Sequence, residues 1–307
     1  MPITIGVDIG GSHITSAAVD SNTSKIIPST YFRGSVNSKG SKASIFIDWA
    51  RIINKTINAI NPAANIRIGF AMPGPFDYSN GIAMFEKNDK YASLYKISII
   101  DELTPFLDNE NITFRFLNDA TSFGLGAQLA KEFHEKKKVV GITIGTGFGA
   151  AFFHDFLPVV KNELVPQGGC LWNKEYQGGI ADDYFSTRWF LERYCILSGK
   201  KGIKGVKEIV ANNDESTQQV FQEFSSNLAS FLFPYLLTFN ADLLLIGGNI
   251  TKSHHLFIPK VLEIWQNKSY NIPIQIIQKS EEANLIGASY LFNENFWELI
   301  EDKLPVM

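Results

Sequence analysis

The sequence predicts an α/β protein built from two similar halves, and three observations support that prediction. Runs rich in β-branched residues alternate with stretches whose apolar residues have helical spacing, as in mixed α/β proteins. Gly10–Gly11 joins two apolar runs near the N-terminus, and Gly145–Gly149 joins two more further along. Because these two strand–turn–strand units lie about one domain length apart, they indicate two domains of similar design rather than a solenoid of short repeats.

In the first half, apolar periodicity predicts a helix over Ile45–Ile60, with Trp49 and Ile53 on its apolar face. A second helix is expected over Thr121–Phe133. Short runs of branched and aromatic residues predict the strands of this half. These strands are Ile3–Ile9, Ile14–Val19, Lys25–Arg33, Ile66–Met72 and Ile112–Leu117.

The second half restarts the pattern after Lys138. Its predicted strands are Val139–Ile144, Ala150–Phe153, Ala241–Ile246 and Ile274–Gln278. Its predicted helices are Asp182–Leu197, Ser216–Phe239, about His255–Trp265, and Ala283–Phe292. No low-complexity linker separates the halves, so the boundary is expected near Asp119–Lys138, with a helix crossing between them.

The composition excludes several classes of protein. With 45% apolar and 19% charged residues, the chain is expected to be globular. A formal charge of −3 gives no general attraction to nucleic acid or to an anionic membrane, and no stretch approaches the roughly 18 apolar residues of a membrane span. Two cysteines, Cys170 and Cys195, are too few for a disulfide framework and fit a reducing compartment. Because the N-terminal residues also lack a signal-peptide pattern, a cytoplasmic protein without nucleic-acid or membrane partners is expected.

Three glycine-rich turns follow predicted strands and are candidate phosphate sites: Asp8–Ser12, Gly145–Gly149 and Gly247–Asn249. Successive backbone N–H groups in such turns form concave anion sites. The alternative is that the glycines only make tight hairpins. The chain has no G-x-x-x-x-G-K-[ST] loop, and a strand rather than a helix follows Gly149. These features disfavour a P-loop and a Rossmann site.

Asp8 adds a carboxylate to the first of these turns. A carboxylate beside a phosphate is repulsive unless a cation lies between them, and Mg²⁺, which prefers hard oxygen ligands, fits that role. The alternative is that Asp8 caps its own turn through an Asx-type hydrogen bond. Taken with the other turns, the metal role is favoured.

Six segments, met in the same order as in the family, resemble the motifs of the ROK family of sugar kinases, which belongs to the actin-like ATPase and hexokinase superfamily. They span residues 5–290. The segments are Asp8–His13 (first phosphate motif), Ala71–Asp77 (sugar loop), Leu117–Ala120 (catalytic motif), Gly145–Gly149 (second phosphate motif), Leu245–Gly248 (adenosine motif) and Ala283–Ala288 (C-terminal helix signature).

The resemblance implies a two-lobed actin-like ATPase (ribonuclease H-like) fold with mixed sheets flanked by helices. The lobes would be residues 1–118 and 119–307, with a final helix at about 281–293 packing back on the N-terminal lobe. The implied reaction transfers the γ-phosphoryl group of ATP to a sugar hydroxyl, most often the 6-hydroxyl of a hexose, with Mg²⁺ as the cation. Glucose is the default sugar, and a homodimer is also implied.

Within this resemblance, Asp119 is the predicted general base, because a carboxylate at a strand end can accept the proton of the attacking hydroxyl. Asn118, which both donates and accepts hydrogen bonds, suits a sugar hydroxyl. The alternative is that Asn118 or Asp119 simply caps the following helix. The implied sugar-binding residues are Gly74, Pro75, Asn118, Asp119, Glu163 and Asp182, and the implied ATP-binding residues are Asp8, Gly10, Gly11, Ser12, His13, Thr146, Gly147, Gly247 and Gly248.

The chain departs from the family pattern on the sugar side. Many members hold a zinc ion with a histidine and a C-x-C-G-x-x-G-C run, and the two cysteines here cannot supply that cluster, so no structural zinc is expected. Pro166 stands where the family's G-E-x-G-H motif has histidine, while Glu163 is retained. Asp182 stands at the family's second sugar-binding glutamate, and its shorter side chain leaves open a lost contact, a contact to a different hydroxyl or one through water. The alternatives to sugar binding are a solvated loop charge for Glu163 and a helix N-cap for Asp182.

Three alternatives follow from these departures. An N-acetylated hexosamine, mannose or fructose is the alternative to glucose as substrate, and polyphosphate is the alternative to ATP as donor. A catalytically silent sugar-binding or sugar-sensing protein of the same fold is the alternative outside enzymes. Asp119 and the two phosphate turns favour the kinase, because a binding protein needs no base.

Overall fold

The computed structural model describes residues 2–60, 65–86, 90–129, 133 and 135–305. The chain forms two compact units: the first contains Met1–Glu135, Phe156–Val160 and Lys279–Met307, and the second contains Lys136–Asp155 and Lys161–Gln278. Both mix strands and helices, which confirms the predicted α/β class. Within the described part of the chain, no helix has the length and apolar character needed to cross a bilayer.

The sheet of the first unit begins with an antiparallel hairpin of β1 (Ile3–Ile9) and β2 (His13–Asp20). The strands follow the order β3-β2-β1-β5-β8, with β4 also paired to β2. β1, β5 and β8 are parallel neighbours. The other elements of this part of the chain are β3 (Lys25–Ile26), β4 (Phe32–Ser35), α1 (Lys42–Ala59), β5 (Ile66–Met72), β6 (Phe76–Asp77), β7 (Ile82–Ala83), α2 (Ile99–Leu103), β8 (Ile112–Asn118) and α3 (Asp119–Gln128).

The single strand predicted over Lys25–Arg33 is wrong. The structure has β3 and β4 separated by a 3-10 turn at Pro28–Thr30. Proline has no N–H to donate to a ladder, and its fixed φ suits the first position of a helical turn. Thr30 then faces inward, and its hydroxyl accepts from the Ala18 N–H at 2.9 Å. The chain therefore leaves the sheet at Pro28 and returns beside β2.

In the second unit, β9 (Lys138–Ile144) and β10 (Phe148–His154) form the second hairpin, and the strands follow the order β10-β9-β14-β15. β9, β14 and β15 are parallel neighbours. This repeats the arrangement of the first unit, in which a hairpin is followed by parallel strands. The chain here passes through β11 (Leu157–Pro158, in the first unit), β12 (Glu175–Tyr176), β13 (Gly179–Ile180), α4 (Ala181–Tyr184), α5 (Thr187–Ser198), α6 (Val206–Asn212), α7 (Glu215–Phe239), β14 (Leu243–Gly247), α8 (Ile258–Gln266) and β15 (Ile274–Ile276).

Two predicted helices of this unit differ from the observed ones. The helix predicted over Asp182–Leu197 is split into α4 and α5, because the chain extends at Ser186 (φ −132°, ψ 163°). The break turns Phe185 into the core, where its ring lies 5.0 Å from that of Phe231 on α7. The helix predicted from His255 begins at Ile258, after an irregular 3-10 segment over Asn249–Leu256.

The last helices, α9 (Ser280–Ser289) and α10 (Glu294–Ile300), belong to the first unit. α9 lies directly on β1, β5 and α3. A Cβ atom at Gly69 would lie 1.9 Å from the Ala288 carbonyl oxygen, and one at Gly126 would lie 1.9 Å from that of Ala283. Only glycine allows backbones this close. The first compact unit also includes α3, which packs against α9 and lies beyond the lobe boundary predicted after residue 118.

Candidate active site

The parallel strands of the first unit bring three predicted motifs to one edge of its sheet. Asp8 on β1 pairs with Ala71 on β5, and Met72 on β5 pairs with Asn118 on β8. The carboxyl ends of neighbouring parallel strands meet at the same edge, which is where open α/β sheets bind ligands. The first glycine turn, the sugar loop and the Asn118–Asp119 pair therefore lie side by side.

Asp8 is a buried carboxylate, only 6% exposed. Burial raises its pKa to about 7, a hydrogen bond from Asn284 acts in the opposite direction, and the charge of Asp119 raises it further. Asn284 Nδ2 donates to Asp8 Oδ1 at 3.0 Å. A buried anion with a neutral donor and a second carboxylate nearby is a place where a divalent cation is stabilising. The donor set thus fits Mg²⁺, which binds through one or two carboxylates and keeps several waters.

Asn118 is the N-cap of α3. Its Oδ1 accepts from the backbone N–H groups of Ala120 at 3.0 Å and Thr121 at 3.2 Å, and its Nδ2 donates to Tyr78 Oη at 3.1 Å. The capping alternative left open by the sequence is therefore observed for Asn118, and its role toward a sugar stays a prediction. The cap also fixes the strand-to-helix junction that carries the next residue, Asp119.

Asp119 is the first residue of α3 and is partly buried. Burial raises the pKa of its carboxyl to about 6, while the N–H of Ala120 and the charge of Lys90 act in the opposite direction. Oδ1 accepts from Ala120 N–H at 2.8 Å. A carboxylate with a pKa near 6 is ionised at neutral pH and yet basic enough to accept a proton. This is the chemistry expected of a general base.

The sugar-loop residues Gly74 and Pro75 join β5 to β6, and the Pro75 carbonyl accepts from Met84 N–H at 3.0 Å. Tyr78 Oη lies 3.1 Å from the Met72 carbonyl oxygen, as well as from the amide of Asn118. One buried tyrosine therefore links the start of the sugar loop to the end of β8. The sequence offers no local signal for this link, because its partners lie on separate strands.

In the first glycine turn, Gly10 N–H donates to the His13 carbonyl at 2.9 Å, and the exposed Ser12 accepts from Val36 N–H through its carbonyl at 3.0 Å. The His13 side chain points to α9, where its Nε2 lies 3.3 Å from Glu281 Oε1. His13, predicted to bind ATP, is thus engaged by a carboxylate. Sequence reasoning missed Glu281, which stands just before the C-terminal signature.

In the second unit, the ends of β9 and β14 bring together the second glycine turn and the adenosine motif, because Gly247 pairs with Thr143. Gly145 N–H donates to the Gly147 carbonyl at 3.0 Å and so closes the turn, leaving Thr146 exposed. Gly248 has φ +94°, and a Cβ atom there would meet the Ile144 carbonyl oxygen at 2.3 Å. The adenosine motif thus lies against the end of β9.

The two acidic residues predicted to bind sugar differ in surroundings. Asp182 Oδ1 accepts from Phe148 N–H at 2.7 Å, so this carboxylate braces the second glycine turn. Its Oδ2 lies 3.5 Å from Arg188 Nη2. Glu163 is exposed in a loop closed by a bridge between Asn162 and Val165. The sugar contacts of Asp182 and Glu163 stay predictions.

Within the described ranges, no group of three or more His, Cys, Asp or Glu side chains could hold a metal ion. Both cysteines carry free thiols, and burial raises the pKa of Cys170.

Two α/β units of the same strand–turn–strand design, with glycine turns at the ends of parallel strands, define the class of actin-like ATPase folds. The model of the ROK family matches residues 4–159 and 176–295. The chain therefore belongs to the ROK family, and the resemblance read from the sequence is confirmed.

Relatives of known name agree with this assignment. The chain is 24% identical to an N-acetyl-D-glucosamine kinase of Histophilus somni, with 94% of this chain and 98% of the relative covered. It is 23% identical to a glucokinase of Thermotoga maritima, with 94% and 97% covered. A ROK family glucokinase from Streptomyces griseus, solved in complex with glucose and AMPPNP, superposes with a TM-score of 0.72 at 18% identity, with 94% of this chain and 99% of that chain covered. At this sequence identity, the superposition shows that the two proteins share a fold.

Proposed function

We propose that this protein is an ATP-dependent sugar kinase that transfers the γ-phosphoryl group to a hexose hydroxyl, the 6-hydroxyl of glucose or a related hexose. The observation that carries the proposal is the edge of the first sheet, where the buried Asp8 near the end of β1 and the partly buried Asp119 just after β8 lie beside a glycine turn. Relatives named as glucokinase and N-acetyl-D-glucosamine kinase support the class of reaction. The AMPPNP complex of a family member supports ATP as the donor.

In the proposed mechanism, Asp119 accepts the proton of the sugar hydroxyl while that oxygen attacks the γ-phosphorus. The bond between the γ-phosphorus and the bridging β–γ oxygen breaks, and ADP leaves with the electron pair. A pKa of about 6 keeps Asp119 ionised at pH 7 and basic enough to take the proton. The backbone N–H groups of the first glycine turn, which lies in the same unit as Asp119, would bind phosphate oxygens.

Mg²⁺ at Asp8 would neutralise charge on the phosphates. Asp8 would hold the cation, and Asn284 orients the Asp8 carboxylate through its 3.0 Å hydrogen bond. The protein's own contribution is to position the sugar hydroxyl against Asp119. The cap made by Asn118 keeps that carboxylate at a fixed point of the strand–helix junction.

The test is an ADP-release assay with ATP and Mg²⁺ over glucose, mannose, fructose, N-acetylglucosamine and N-acetylmannosamine, repeated with polyphosphate as donor. Phosphorylation of one or more of these sugars is expected. Asp119→Asn, which keeps the size of the side chain, should lower kcat by about 10²-fold or more. Asp101→Asn removes an exposed carboxylate of the same unit and should leave kcat unchanged.

Two outcomes would contradict the proposal. Full turnover in Asp119→Asn would remove the base from the mechanism. Sugar binding by calorimetry without phosphorylation of any sugar would favour the silent binding protein. The identity of the best sugar in the panel decides between a hexose and an N-acetylated hexosamine.

A further inference from the structure

Lys90, which lies outside every motif of the sequence, packs against the first glycine turn. A Cβ atom at Gly11 would lie 2.7 Å from Cδ and Cε of Lys90 and 2.9 Å from its Nζ. The end of the lysine side chain therefore occupies the space that glycine leaves open. Because the N–H groups of such a turn already form an anion site, an ammonium beside them extends that site.

The neighbouring residue fixes Lys90 in this position. Tyr91 is 1% exposed, its hydroxyl donates to the Gly10 carbonyl at 2.6 Å, and its N–H donates to the Ser38 carbonyl at 2.7 Å. Its ring packs edge-on against Trp49 with the centroids 5.5 Å apart. Lys90 thus packs against Gly11, and Tyr91 is bonded to Gly10. The buried Tyr91 therefore holds the backbone at Lys90 against the glycine turn.

The charge of Lys90 also acts on the candidate base. Burial raises the pKa of Asp119, and the positive charge of Lys90 acts against it, so the two groups are close enough to interact. Within the described ranges, which leave out residues 87–89, no salt bridge within 4.0 Å includes Lys90. An ammonium that packs on the glycine turn and acts on a nearby carboxylate base is placed to meet a phosphoryl group bound at the turn.

We propose that Lys90 is a catalytic residue whose ammonium contacts the transferring phosphoryl group at the Gly10–Gly11 turn while Asp119 takes the proton from the sugar. This inference rests on the proposed kinase function. Charge in the transition state of phosphoryl transfer spreads over three equatorial oxygens, and preorganised cations aimed at them lower the barrier. Lysine supplies this as a compact point charge and forms no covalent bond in the reaction.

The test compares wild type with Lys90→Met, which keeps the apolar stem and loses the charge, and with Lys90→Arg. Lys25→Met, an exposed lysine on β3, is the matched control. Lys90→Met should lower kcat by about 10²-fold and leave KM for the sugar within about threefold. Lys90→Arg should recover part of the loss, and Lys25→Met should match wild type. Thermal unfolding checks that the variants fold, and Lys90→Gln repeats the test if Lys90→Met is unstable.

A second readout does not depend on turnover. ADP with aluminium fluoride and Mg²⁺ mimics the transferring group, and calorimetry compares its affinity with that of ADP alone. Lys90→Met should bind the fluoroaluminate complex at least about tenfold more weakly and ADP alone as wild type does. A role confined to structure would weaken both equally.

The outcomes separate the two proposals. If wild type phosphorylates a sugar and Lys90→Met keeps its kcat and its fluoroaluminate affinity, the role of Lys90 is overturned and the kinase function stands. If wild type phosphorylates no sugar, the proposed function fails, and the calorimetry alone decides on Lys90. Equal affinity in the two proteins, or no binding by wild type, then overturns its phosphoryl contact, and a selective loss supports it.

Discussion

Glu281 is expected to hold α9 against the first hairpin through charged contacts. Its Oε1 lies 3.3 Å from His13 Nε2 and 3.1 Å from Arg33 Nη2, and Tyr31 Oη donates to Oε2 at 3.1 Å. Hydrogen bonds to charged groups contribute about 1.5–3 kcal/mol and exposed ion pairs about 0–1 kcal/mol. Glu281 is 29% exposed, and Tyr31 can still donate to an amide oxygen. Glu281→Gln should therefore lower the free energy of unfolding by about 1–2 kcal/mol at pH 7.

The pH dependence of this loss has a definite sign. The hydrogen bond with His13, followed by the charge of Arg33, lowers the pKa of Glu281 below its usual 4.5 against the effect of burial. A carboxyl with a depressed folded-state pKa stabilises the protein above its unfolded-state pKa, and that stabilisation is lost as the pH falls through the folded-state value. The free energies of unfolding of wild type and Glu281→Gln should therefore differ most at neutral pH, and the difference should shrink as the pH falls below 4.5.

Urea unfolding followed by tryptophan fluorescence at a series of pH values measures this difference. Glu102→Gln is the matched control, because its ion pair with Lys42 has side chains 38% and 42% exposed. Glu102→Gln should lower the free energy of unfolding by less than about 1 kcal/mol, and this decrease should shrink in high salt. An equal loss in the two variants, or a Glu281→Gln deficit that does not shrink on acidification, would refute the reasoning.

Three further predictions concern packing, the base and the second turn. Gly69→Ala should destabilise the protein by about 2 kcal/mol or more, measured by urea unfolding, because its Cβ would lie 1.9 Å from the Ala288 carbonyl oxygen. The pH profile of kcat should fall on the acid side of about 6, where Asp119 becomes protonated; a profile flat to pH 5 would count against the base. Asp182→Ala, which frees the Phe148 N–H, should raise KM for ATP roughly tenfold, whereas an increase in KM for the sugar alone would support direct sugar binding.

The strands and the glycine turns were the most predictable parts of the fold. The strand predicted over Ile66–Met72 agrees with β5 at both ends, and the hairpin strand predicted over Ile14–Val19 is one residue shorter than β2 at each end. Buried strands are runs of branched residues that end at a glycine or a proline. The sequence signal that predicts them is therefore local. The C-terminal signature was also informative, since Asn284 within it contacts Asp8.

Residues that act through distant partners were not predictable. Glu281 meets Tyr31 across 250 residues of sequence, and Lys90 meets a turn that ends far before it. Neither carries a pattern in its own neighbourhood, because an isolated charged residue is most often solvated. The short helices α6 and α10 were missed as well, since seven residues are too few for periodicity to stand out. The break between α4 and α5 was not predictable either, because it depends on the packing of Phe185 against Phe231 on α7.

The contacts of α9 explain why the C-terminal segment must pack on the first hairpin before the candidate site around Asp8 can form. Its first turn supplies Glu281 to His13, and its next turn supplies Asn284 to Asp8, so both ends of the first glycine turn are held by one helix. Gly69 and Gly126 face the backbone of α9 and allow it to pack in direct contact with β5 and α3. Asp8 is therefore oriented by a residue 276 positions away, and Asp8 and His13 gain these contacts only when the C-terminal segment has folded back onto the sheet.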